Sequence, residues 1–334
     1  MKLTRVLKRV ADLIGRWQPS SLREWLPSRE MSFILARKDE EISRLRKELI
    51  VARDDTRGVS PENVIWMFGV ARTGSSWLAA MMAELERHAT WYEPYVGDLF
   101  GVAYQVRSPE WQRRRDDFVL SDRYRAAWLR SIRSFVLDGA NARFPDLGSE
   151  GYLVIKEPNG SLGAPLLTEA LPESRVILLV RDPRDVVASL LDANRKNGWV
   201  SRHGAPGGGA SLADADPDAF VRQQANLCIG SLSKAKEAYD AHDGCKAIVR
   251  YEDLRGDALG ELKRIYSVLD IPTKEAQLAR AVERHAWENV PAEKKGVGKF
   301  YRKAKPESWR EDLTPEQARI VEEITVPLIH EFYA

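Results

Sequence analysis

The chain has 334 residues, 44% hydrophobic and 30% charged, with a formal net charge of +2. That balance argues against bulk nucleic-acid binding as its main task, and two cysteines, Cys228 and Cys245, supply neither a disulfide framework nor a metal-ligand cluster. No run approaches the ~18 apolar residues of a membrane span, and the N-terminus lacks the continuous apolar core of a signal peptide, so a cytoplasmic protein in a reducing compartment is expected.

The charge is unevenly placed. Residues 1–60 carry 14 Lys/Arg against 9 Asp/Glu, a net of +5 that leaves −3 for the remainder. Within 1–18, Leu3, Val6, Leu7, Val10 and Ile14 share one helical face, and Lys2, Arg5, Lys8, Arg9 and Arg16 occupy much of the rest. This predicts a basic amphipathic helix, suited either to peripheral contact with an anionic membrane or to packing on its own domain or a second copy. Residues 31–54 predict a second, charged helix with too few heptads for a coiled coil. Gly58 and Pro61 mark a linker, which divides the chain into a helical extension (1–60) and a main domain (61–334).

Val64-Ile-Trp-Met-Phe68 is an apolar run fit for a buried strand; Gly69 breaks it, and from Ser75 apolar residues recur at helical spacing (Trp77, Leu78, Met81, Met82, Leu85). A strand, a glycine loop and a helix N-terminus in that order form an anion site, because loop and first-turn amides converge where the helix dipole favours negative charge. Gly69 and Gly74 have the separation of a Walker A loop, but Ser75 stands where that loop keeps its lysine, and the cation sits earlier, at Arg72. The helix is expected to end near His88, and Trp91-Tyr-Glu-Pro-Tyr95 to form a short rigid segment with a carboxylate at its centre.

Residues 107–137 are expected to be helical with a solvated, charged face. Gly151 to Pro158 predicts a second strand ending in Lys156 and Glu157, and Arg175 to Ser189 a third strand and its helix, with Asp182 as N-cap and Pro183 at the first helical position. Arg184 and Asp185 read as a mutual pair. Residues 195–217, rich in glycine, predict a flexible loop, residues 218–242 a helix with Cys228 in its core face, and Lys246 to Leu254 a fourth strand with a polar end. A basic stretch from Glu293 to Lys305 precedes Trp309, and Thr314-Pro-Glu-Gln317 predicts a capping box for the last helix. Strands alternating with helices imply an α/β fold: a P-loop-like parallel sheet flanked by helices.

Four segments together resemble the sulfotransferases that use 3'-phosphoadenosine 5'-phosphosulfate (PAPS). Ala71-Arg-Thr-Gly-Ser-Ser-Trp77 is similar to the family's 5'-phosphosulfate loop, in the arginine form of carbohydrate and protein-tyrosine sulfotransferases. Val180-Arg-Asp-Pro-Arg-Asp-Val-Val-Ala-Ser189 resembles the 3'-phosphate segment, Arg250-Tyr-Glu-Asp-Leu254 a third signature whose tyrosine lies near the adenine, and the basic tail the C-terminal phosphate clamp. They span about residues 64–313; residues 1–60 have no counterpart.

The resemblance implies PAPS as donor and 3'-phosphoadenosine 5'-phosphate (PAP) as product, with no metal. It assigns Arg72, Thr73, Gly74, Ser75, Ser76 and Trp77 to the 5' end and adenine, Arg181 and Ser189 to the 3'-phosphate, Tyr251 to the adenine, and Arg302 and Lys303 to the clamp, with Lys294 to Gly296 as an alternative. Arg72 would cover the leaving oxygen and Lys156 the transferring group. Glu93 stands where the protein-tyrosine enzymes keep their base, with Glu157 as competitor; the histidine that many cytosolic members place after Lys-Thr is absent from Lys156-Glu-Pro158. The acceptor implied is a hydroxyl of a carbohydrate or other small metabolite. A P-loop small-molecule kinase is the alternative enzyme, disfavoured by the missing lysine, and a non-catalytic binding module is a third reading.

Overall fold

The computed structural model describes residues 58–203 and 211–333, with six helical positions between Arg37 and Leu45. Those six agree with the predicted second helix; the amphipathic helix at 1–18 and most of the proposed extension lie outside the described residues. Five strands form one parallel sheet in the order β2-β3-β1-β4-β5: β1 (Val64–Phe68), β2 (His88–Tyr92), β3 (Tyr152–Lys156), β4 (Arg175–Val180) and β5 (Lys246–Arg250).

The continuous apolar runs at β1 and β4 follow from burial on both faces. Trp66 and Phe68 of β1 pack with Leu153, Ile155, Leu178 and the helices α3 (Arg125–Arg143), α4 (Ala164–Ala170) and α6 (Pro217–Ala241). Ile65 and Met67 point the other way, against α1 (Ser75–Ala83), α8 (Ala258–Val268) and α9 (Glu275–Arg284). Three further helices complete the frame: α2 (Val96–Gly101), α5 (Pro183–Asn194) and α7 (Tyr251–Gly256). Cys228 fills the core as expected, and burial pushes its thiol up to about 12.

Local chemistry explains the element boundaries. Asp182 caps α5 by accepting from the Arg184 amide at 2.9 Å. Thr314 and Gln317 form the reciprocal capping box that opens the last helix, α10 (Pro315–Tyr333), at 3.2 and 3.1 Å.

Five expectations need correction. The fourth strand, expected over Lys246 to Leu254, ends at Arg250, and Tyr251 to Leu254 belong to α7. His88–Tyr92, read as the end of a helix and a rigid segment, is an edge strand on β3; its residues are half-buried, so it lacks the apolar run that marked the inner strands. The single helix expected over 107–137 is broken into Glu110–Arg113, a 3-10 turn at Asp122–Tyr124 and α3. Arg115 pairs with Asp117 and Arg123 with Asp116, both off helical spacing, while Glu110 and Arg114 keep an i,i+4 pair in the first short helix. The predicted loop at 195–217 contains short helices at Trp199–His203 and Leu212–Ala215. Arg184 pairs with Asp182 and Glu322 rather than with Asp185.

Helix α2 lies against the turn after β3 through glycines. A Cβ on Gly97 would sit 2.1 Å from the Gly160 carbonyl oxygen, and one on Gly101 2.4 Å from the Gly163 backbone. Gly97→Ala should therefore force α2 away from the turn after β3 and cost about 1–3 kcal/mol in urea unfolding; an unchanged midpoint would contradict this close packing.

Candidate active site

Because all five strands run parallel, their carboxyl ends share one edge of the sheet, and each delivers a chemical group there. The Gly69–Gly74 loop follows β1, Glu93 follows β2, Lys156 ends β3, Arg181 follows β4 and Tyr251 follows β5. Together with residues drawn from 284–308 they line a cavity of ≈ 1020 Å³.

At one end the loop after β1 turns tightly. A Cβ on Gly69 would meet the Leu179 carbonyl oxygen at 2.4 Å, Arg72 is left-handed (φ 71°), and Gly74 (φ 87°) caps α1 with no room for a side chain beside the Tyr251 ring. Ser75 and Ser76 open α1 on the cavity wall, where first-turn amides have no acceptor within their helix. Thr73 differs: its side chain is fully buried and its hydroxyl donates to the Val70 carbonyl at 2.8 Å, so it braces the loop.

Arg72 donates from Nε to Ser189 Oγ at 3.0 Å and from Nη2 to the Phe300 carbonyl at 2.7 Å, with its guanidinium against the Phe300 and Trp199 rings. Burial, then the neighbouring Arg181 and Arg302, pull it down to about 10, so it remains charged at neutral pH. Arg181 donates to the Arg72 carbonyl at 2.9 Å and stacks 4.3 Å from the Tyr251 ring centroid. Its buried Nε has no hydrogen-bond partner among the described residues. Arg302 pairs with Asp312 and lies 3.9 Å from Asp192, while Lys303 bonds Glu311 and Asp312 at 2.9 Å. Arg302 and Lys303 thus reach the wall with acidic partners already in place. Trp77 donates its indole N–H to the His285 carbonyl at 2.9 Å and stacks under Arg255, so it borders both core and cavity.

Asp185 lies beneath this end, fully buried. It accepts from the Glu307 and Trp309 amides and the Ser308 hydroxyl at 2.8–3.1 Å and sits 3.6 Å from Arg181. One carboxylate therefore ties the arginine after β4 to the segment that carries Arg302 and Lys303.

At the other end Glu93 forms an ion pair with Lys156 and accepts from Asn159 Nδ2 at 3.0 Å and the Tyr95 hydroxyl at 3.3 Å. Glu93 is 31% exposed and lies on the cavity wall. Glu157 is almost fully buried. Its oxygens accept from the Tyr95 and Gly97 amides at 3.2 and 3.1 Å, which places it under the start of α2.

A family model described as the sulfotransferase domain matches residues 62–333. The chain belongs to that family. It is 26% identical over 179 residues to the omega-hydroxy-beta-dihydromenaquinone-9 sulfotransferase Stf3 of Mycobacterium bovis and of Mycobacterium tuberculosis. That match covers 54% of this chain and only 42% of the relatives. Among solved structures, the mouse sulfotransferase SULT7A1, complexed with PAP, is similar in fold, with a TM-score of 0.50, 16% identity and coverage of 84% of this chain and 92% of that one.

Within this sulfotransferase-domain protein, the strand ends gather Arg72, Ser75, Ser76, Trp77, Lys156, Glu93, Arg181, Ser189, Tyr251, Arg302 and Lys303 around one cavity. Sequence reading missed Asn159, which holds Glu93, and Trp199 and Phe300, which frame Arg72. The Asn159 signal was its place one residue past the strand-ending proline; Trp199 comes from the glycine-rich stretch, and Phe300 from inside the basic stretch Glu293 to Lys305, which was read for its cations alone.

Burial pushes Glu157 up to about 7 from 4.5. Between those values the folded protein holds a proton that the unfolded chain has released, so stability from this group is present at low pH and lost as pH rises through about 7. Wild type should lose melting temperature relative to Glu157→Gln between about pH 5 and about pH 8. Parallel melting curves would remove this role.

Proposed function

We propose that the protein is a sulfotransferase that moves the sulfuryl group of PAPS to the hydroxyl of a small acceptor. The observation that carries this reading is the pairing of two cationic anion sites at adjacent strand ends. The loop–helix nest with Arg72 suits a 5'-phosphosulfate, and Arg181, with an unpartnered buried Nε, suits a separate 3'-phosphate. Ser189 and the clamp residues Arg302 and Lys303 support the 3' side, and Trp77 and Tyr251 offer aromatic faces to the base. The loop amides from Thr73 to Ser76 complete the nest. The family match over 62–333 supports treating 61–334 as the catalytic domain.

The donor supplies an activated sulfuryl group; the chain's own groups do the rest. Glu93 accepts the proton of the acceptor hydroxyl as that oxygen bonds to sulfur. Lys156, beside it, neutralises the transferring group. Arg72 and the first-turn amides of α1 neutralise the charge left on the phosphate oxygen when its bond to sulfur breaks. We assign the base to Glu93 rather than Glu157, because Glu93 reaches the cavity while both oxygens of Glu157 are engaged by backbone amides.

Two measurements test this. PAP should raise the melting temperature, and ATP with Mg²⁺ should not; stabilisation by ATP–Mg²⁺ alone would favour the kinase and sink the reading. Glu93→Gln should lower kcat about 10²–10⁴-fold with PAP affinity retained. Near-wild-type turnover in that variant would remove Glu93 as the base.

A further inference from the structure

Helix α5 carries Asp185, Ser189 and Asp192 at a spacing that stacks them along one of its sides. Each fastens a group from elsewhere in the chain. Ser189 accepts from Arg72 Nε, and Asp185 from the turn at Glu307, Ser308 and Trp309. Asp192 accepts from the Gly298 amide at 2.9 Å and lies 3.9 Å from Arg302 Nε. Its side chain is 14% exposed and stands behind the cavity wall, not on it.

The two carboxylates therefore hold the C-terminal segment at two points. Two turns of helix put them about 10 Å apart along α5. The chain from Gly298 to Glu307 could extend about 30 Å. Between its anchors the segment must bow, and it bows toward the cavity, since Phe300 to Ala304 all lie on the wall. The bow has a defined shape. Gly298 is buried and left-handed (φ 68°), and Arg202 donates to its carbonyl at 2.5 Å. The Gly296 amide donates to the Tyr301 carbonyl at 2.9 Å, and Arg255 Nε to the Ala304 carbonyl at 3.0 Å. The Phe300 ring meets Trp199 edge-on, with 5.3 Å between centroids. Gly298 thus sets where the bow begins, one short step before Arg302. Without Asp192 its buried amide would lose the acceptor that holds it there.

We propose that Asp192 is a positioning residue of the donor site: by holding the Gly298 amide it sets the path of the bowed segment, and with it the place of Arg302 against the 3'-phosphate. This rests on the sulfotransferase reading above and adds a residue that the donor itself does not touch. The two effects of Asp192 have opposite signs, which makes the role measurable. Its charge, beside Arg302, opposes a bound anion, whereas its grip on Gly298 favours one.

The test measures dissociation constants by calorimetry on the full chain, for PAP and for adenosine 5'-phosphate, which lacks the 3'-phosphate. Asp192→Ala should weaken PAP about tenfold and adenosine 5'-phosphate less than about threefold, because the lost support lies at the 3' end. Asp192→Asn keeps an oxygen for the Gly298 amide and removes the opposing charge, so it should bind PAP at least as tightly as wild type. In an Arg302→Ala background, Asp192→Ala should change PAP affinity less than about twofold. Unchanged or tighter PAP binding in Asp192→Ala would mean that the carboxylate acts by charge alone, and overturns the proposal. Equal weakening of both ligands, weaker PAP binding in Asp192→Asn, or a full effect of Asp192→Ala without Arg302 overturns it too. The Asp192→Asn result decides even where Asp192→Ala does not fold. Wild type that binds PAP no more tightly than adenosine 5'-phosphate overturns the sulfotransferase reading beneath.

Discussion

Three guanidinium groups crowded into one poorly solvated corner are the constraint around which this molecule is arranged. Burial first, then Arg181 and Arg302, disfavour the charge on Arg72 and bring it down to about 10, and burial and Arg181 likewise act on Arg302. Like charges are held this close only when the fold gives them no alternative. Here the restraints are specific: Ser189 and the Phe300 carbonyl hold Arg72, the Tyr251 ring and Asp185 hold Arg181, and Asp312 holds Arg302. Acidic neighbours temper the positive field without cancelling it, since none of them pairs directly with Arg72 among the described residues. An anion placed among the guanidinium groups would relieve that repulsion.

The parallel sheet makes that crowding possible. Strand order β2-β3-β1-β4-β5 puts the β1 loop at the centre, with Lys156 on one side and Arg181 on the other. Cationic side chains thus flank the β1 loop on both sides, Arg181 from β4 and Lys156 from β3. Asp185 adds a link that strand order does not supply. By accepting from the amides of Glu307 and Trp309, it ties the C-terminal segment to the first turn of α5. The tail cations consequently reach the cavity although they lie more than 100 residues beyond Arg181.

Much of this was legible in the sequence, and the limits follow from particular residues. β1, β3, β4 and β5 announce themselves because apolar runs end in glycine, proline or charge. Arg181 and Tyr251 could be placed because each follows a strand directly, and Arg72 because it lies in the glycine loop after β1. The edge strand His88–Tyr92 could not, since a strand with one open side needs no apolar run. Thr73 sits between loop residues yet turns inward to Val70, a choice made by the left-handed backbone at Arg72 rather than by residue type. Local charge patterns also misled. Arg184 and Asp185 look like a pair, but adjacent helical residues do not face one another, and each finds a distant partner.

Glu93 and Glu157, neighbours in space from two different strand ends, show how one residue type takes two environments. Glu93 and Glu157 both lie at strand ends, and residue type alone ranks neither. Backbone geometry separates them. Glu93 and Tyr95 are both left-handed (φ 47° and 59°), an uncommon conformation for such residues, so the turn between β2 and α2 needs an external fastening. Glu157 provides it by accepting from the amides of Tyr95 and Gly97. Fixing that turn aims Glu93 at the cavity and sets the start of α2. The buried carboxylate therefore acts through geometry, by holding the turn from which Glu93 reaches the cavity wall.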